Sequence, residues 1–98
     1  MEKIIKDGKV AVAVSYDYSA GWSTWNRVNP MDARFNALFL EGKHDEAAAL
    51  CEELDLGFPG GAKDVHIEWV PVGTEFIIDE YDGSECLQTK DSFNWHKA

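Results

Sequence analysis

The 98-residue chain holds only two cysteines and three prolines, and no apolar run approaches the ~20 residues of a membrane-spanning helix. No membrane partner is therefore expected. Cys51 and Cys86 lie far apart and form no C-x-x-C pair, which excludes a disulfide scaffold and a cysteine zinc knuckle. No signal-like apolar segment opens the chain, so the expected setting is the cytoplasm, with reduced thiols. Basic side chains are scarce as well. Nine Lys and Arg face eighteen Asp and Glu, a formal charge of −9, and such a field repels the phosphate backbone on which nucleic-acid binding relies. Direct contact with DNA or RNA is excluded on that ground.

Catalytic signatures are missing too. There is no G-x-x-x-x-G-K-[ST] phosphate loop, no G-x-S-x-G elbow and no H-E-x-x-H pair. His44, His66 and His96 are scattered, and the acidic run Asp79 to Glu85 lacks the ligand rhythm of an EF-hand. The expectation is a protein that is not an enzyme and carries no metal or cofactor.

What remains is an ordinary globular composition, 45% hydrophobic and 28% charged, in a length suited to one core; residues 1–98 read as a single domain. Lys9 to Tyr16 places Val10, Val12, Val14 and Tyr16 on one face and Ala11, Ala13 and Ser15 on the other, a strand that tolerates burial on both sides. Asn29-Pro30 opens a helix in which Met31, Phe35, Leu38 and Phe39 recur at helical spacing, with Gly42 as its stop. A second helix begins at His44 or Asp45. Its apolar stripe carries Ala47, Leu50, Cys51 and Leu54, and its other face carries Glu46, Glu52 and Glu53. Phe58 to Gly61 reads as a loop. Strands follow at Asp64 to Val70, Thr74 to Tyr81 and Ser84 to Gln88, the last two joined by the hairpin signal Asp82-Gly83. Phe93 and Trp95 suggest a last short strand or a docked tail. The fold class is α+β: a small mixed or mainly antiparallel sheet, made of the N-terminal strand and a C-terminal meander of three or four strands, with two helices packed on one face.

The stretch Trp22 to Asn26 draws attention because two indoles stand three residues apart among hydroxyl and amide side chains, just ahead of a helix start. Tyr16, Trp22, Ser23, Thr24, Trp25, Asn26 and Arg27 form the candidate ligand-binding set, able to stack a planar base, while the helix start and Arg34 attract an anion. The alternative is that Trp22 and Trp25 fold back over the open end of the sheet. Glu68, beside Trp69, is placed to meet Tyr16 or Arg27, or simply to face solvent.

The pattern AGWSTWN, followed by FPGGAKDVHIEWVPVGTEFIIDEYDGSE, resembles a group of short uncharacterised proteins of tailed bacteriophages and prophages, over most of the span from Val10 to Glu85. That resemblance implies a counter-defence protein in the host cytoplasm. Two kinds of partner follow. One is a small nucleotide-derived immune signal, sequestered in a pocket at or near the subunit interface of a homo-oligomer. The other is a host defence protein whose basic groove the acidic surface occupies, in the manner of an anti-CRISPR inhibitor.

Overall fold

The structure, a computed structural model, describes residues 1–16, 18 and 20–90. The expected contribution of Phe93 and Trp95 lies outside the described residues. Strand β2 (Lys9–Ser15) is the centre of the fold, and its sequence explains why. Its side chains are small or β-branched on both faces, so both faces can be covered, and from Val10 to Ser15 every residue is buried.

On one edge β2 pairs antiparallel with β3 (Val65–Pro71), from Lys9 opposite Pro71 to Ser15 opposite Val65. The two-residue β1 (Ile5–Lys6) forms a hairpin onto its start through Asp7-Gly8. Among the described residues no strand pairs with the second edge of β2 beyond that hairpin. The donors of that edge go instead to two loop carbonyls and a distant side chain: Ala11 N to the Ile4 carbonyl at 2.9 Å, Ala13 N to the Pro30 carbonyl at 2.9 Å and Ser15 N to the Glu85 carboxylate at 2.9 Å. Buried Asn36 then ties the first helix to this edge, donating through Nδ2 to the carbonyls of Ala11 at 3.1 Å and Pro30 at 2.9 Å. Each backbone group so satisfied avoids the penalty of an unpaired buried dipole.

Helix α1 (Ala33–Leu40) starts at an Asp32 cap whose side chain accepts from Arg34 N. It begins two residues later than the Met31 of the apolar pattern, because the Asp32 carboxylate, and not Pro30, fixes the first turn. Helix α2 (His44–Glu53) follows after Gly42. The loop read from sequence at Phe58 to Gly61 is largely a 3-10 helix, Pro59–Asp64, with proline at its start, so the strand expected from Asp64 begins at Val65.

Ala13, Val65 and Ile67 face the helices and pack with Trp22, Phe35, Phe39, Ala47 and Cys51. Val12, Val14 and Val70 face the other way, where they meet Phe76, Ile78 and Leu87. Those last three belong to β4 (Phe76–Tyr81) and β5 (Ser84–Thr89), a hairpin with Ile78 opposite Leu87 and Glu80 opposite Glu85. The α+β class with antiparallel strands and helices on one face therefore holds, and the strands divide into two sheets, β1-β2-β3 and β4-β5. The valine face of β2 supplies the reason: it needs an apolar cover, and the hairpin turns over at Pro71 to Gly73 to provide one rather than extending the first sheet.

Candidate functional site

The hairpin closes on the Trp22 to Asn26 stretch through two glutamates that stand opposite each other. Glu85 is 1% exposed, and its Oε2 accepts from Trp22 N at 2.8 Å, Thr24 N at 3.0 Å and Thr24 Oγ1 at 2.6 Å, while Oε1 accepts from Ser15 N at 2.9 Å. All four partners donate, which an acceptor-only carboxylate suits. Glu80 accepts from Trp25 Nε1 at 3.2 Å and Gly83 N at 2.8 Å; the Gly83 amide first, and the indole second, hold its carboxyl below the usual range.

Close backbone approach completes the arrangement. A Cβ at Gly61 would fall on the Gly21 carbonyl oxygen, and one at Gly83 would lie 2.7 Å from Ala20 N. Gly83 also serves the Asp82-Gly83 turn, where both residues have positive φ. The three distant pieces GWSTW, PGG and DEYDGSE thus meet at one structural junction.

This geometry sorts the candidate ligand residues. Trp22 is 0% exposed, its ring set edge-on to Phe35 and to Phe39 with centroids 5.3 Å away in both cases, so it offers no free face for stacking. The fold-back alternative describes Trp22. Trp25 is 43% exposed and is the indole left at the surface. Ser23 is half-buried, and Thr24 is exposed although its hydroxyl is held by Glu85. Asn26 donates to the Trp22 carbonyl at 2.7 Å and bridges to Gly57, and Arg27 donates to the Asp55 carbonyl. The other expected cation, Arg34, is held by Asp32 through Nη2 at 2.8 Å.

Tyr16 stands apart from this cluster. Its ring lies 4.8 Å from that of His66, and its phenol bonds Glu68, one of the three placements left open for that carboxylate by the sequence. Burial, then the Glu68 hydrogen bond and charge, push its ionisation well above the ordinary phenol range. An open cleft of about 500 Å³ runs beside it, lined by Tyr16, His44, Lys63, Asp64, Val65 and His66. Sequence reading missed this convergence because its members come from α2, the 3-10 helix and β3; only the fold brings them together. It singled out the acidic run Asp79 to Glu85 but missed that Glu80 and Glu85 bond the Trp22 to Asn26 stretch.

Among the described residues no group of three or more His, Cys, Asp or Glu is arranged to hold a metal ion. No described helix is long and apolar enough to cross a membrane. The chain matches no protein-family model, no curated protein and no solved structure.

Proposed function

We propose that the chain is a non-enzymatic binding protein whose acidic surface occupies a basic groove on a host protein, with the phage-like sequence pattern suggesting counter-defence as the setting. The observation that carries this reading is the outer face of α2. Asp45, Glu46, Glu52 and Glu53, continued by Asp55, are exposed, and the three ion pairs among the described residues, Arg34–Asp32, Lys43–Glu41 and Lys90–Glu75, engage none of them. An unneutralised acidic stripe on a chain of charge −9 steers toward a basic partner. Exposed Leu54 and Phe58 stand at its end and supply the apolar contact that a protein interface needs at its centre.

Sequestration of a nucleotide in the Trp loop itself has less support. Trp22 belongs to the core, and Arg27 and Arg34 are both engaged by acceptors of the protein.

The test is affinity capture of a basic host protein, followed by titration with salt. Raising ionic strength from about 0.1 M to about 1 M shortens the Debye length from about 10 Å to about 3 Å, so the complex should weaken steeply. The triple variant E46K/E52K/E53K, altered only on the solvent face of α2, should lose the partner while keeping its circular dichroism spectrum. Capture that is indifferent both to salt and to this charge reversal would refute the reading.

A further inference from the structure

Independently of the acidic face, we infer that the cleft beside Tyr16 binds a purine mononucleotide. The chain is poor in basic side chains, yet Lys63 stands here beside His44 and His66, brought together from three separate elements. Lys63 forms no ion pair among the described residues, so its ammonium is available to a phosphate. The imidazoles are held in place. His44 donates from Nε2 to the Val65 carbonyl at 3.1 Å and packs on the Phe39 ring at 5.2 Å, which leaves Nδ1 as its remaining polar atom. His66 leans on Tyr16 at 4.8 Å, and the half-exposed tyrosine ring presents a surface on which a flat heterocycle can stack.

Asp64 selects among anions. Its carboxylate in the cleft wall opposes a bare polyanion, and its Oδ2 is buried with no hydrogen-bond donor among the described residues. A nucleobase brings uncharged N–H donors to that wall, where inorganic phosphate brings further negative charge. A volume of about 500 Å³ falls within the range of small-ligand pockets. Phosphate on Lys63, base against Tyr16, and base N–H toward Asp64 is the arrangement these groups favour.

The experiment follows the imidazole Cε1–H resonances of His44 and His66, assigned with single His→Ala variants, in the full chain by NMR. The probes are adenosine 5′-monophosphate, guanosine 5′-monophosphate and inorganic phosphate. Saturable shifts of both histidines with either nucleotide at a Kd below about 1 mM, and none with phosphate alone, are expected. K63A should weaken that binding at least about tenfold while the tryptophan emission stays native, since Lys63 is exposed. Absence of a saturable shift with both nucleotides overturns the site. An equal response to phosphate overturns the ligand class, and full binding by K63A overturns the role given to Lys63.

Discussion

Replacing Glu85 tests the junction most directly. Two of its donors, Ser15 N and Trp22 N, belong to buried residues, and each buried donor left without an acceptor is worth about 1–3 kcal/mol. Glu85→Ala should therefore destabilise the fold by about 2–6 kcal/mol on that account alone, a large share of the roughly 5–15 kcal/mol that holds a domain together. Glu85→Gln keeps the volume and one acceptor oxygen. Its oxygen belongs on the side of Trp22 N, Thr24 N and Thr24 Oγ1, which turns an amide N–H toward Ser15 N, donor against donor. A loss of about 1.5–3 kcal/mol is expected, the scale of one hydrogen bond to a charged group, or roughly 6–24 °C in Tm for a chain of this size. Guanidinium unfolding followed by tryptophan emission measures both, and the predicted order is wild type, then Gln, then Ala. A loss below about 1 kcal/mol for the alanine variant would refute the structural role assigned to the carboxylate.

The two indoles of the Trp22 to Asn26 stretch should separate cleanly: Trp22→Ala should cost about 3–5 kcal/mol as a core truncation, and Trp25→Ala under about 1 kcal/mol, read from the same unfolding curves. Burial alone would raise the carboxyl of Asp32, but the side-chain and backbone hydrogen bonds with Arg34 outweigh it and hold the group below the usual range. Its contribution is then present above the unfolded value near 3.9 and is lost as pH falls through the lower folded value. Asp32→Asn should accordingly flatten the loss of stability below about pH 4, and an unchanged acid limb would count against the pairing. Burial, then the charge of Glu52, pushes the Cys51 thiol up, so a thiol reagent at mildly alkaline pH should modify exposed Cys86 first and Cys51 only after denaturant is added. Simultaneous reaction of both would contradict the packing of α2.

Local signals carried the elements of this fold, and their assembly depended on distant contacts. The valine alternation of β2 and the Asp82-Gly83 turn are each written within a dozen residues and stand as read, except that the strand stops at Ser15 and leaves Tyr16 exposed; of the apolar stripe read on α2, Ala47 and Cys51 are buried, while Leu54 caps the helix and is exposed. What spacing does not encode is which face of a two-sided strand receives which cover. Val12 and Val14 accept the hairpin as readily as they would accept a helix, and so the second sheet was not visible in advance. The Trp22 to Asn26 stretch looked like a recognition loop because aromatic and hydroxyl side chains serve both recognition and interior support. Thr24 Oγ1 and the backbone amides of Trp22 and Thr24 point to Glu85, more than sixty positions away, and nothing local to the motif names that partner. The cleft with His44, Lys63 and His66 was hidden for the same reason.

The pairing of β2 with β3 has a consequence during synthesis. Ser15 is opposite Val65, so the run KVAVAVS leaves the ribosome and waits for some fifty further residues before its partner exists. At translation rates of about 5–20 residues per second that delay is roughly 3–10 s. For that time the uncharged, β-prone part of the run, Val10 to Ser15, stands without its β3 partner, the kind of stretch that nucleates association between nascent chains. The basic residues beside it, Lys3, Lys6 and Lys9, sit where flanking charges interrupt such association, and they gather at one end of a chain that is otherwise strongly acidic.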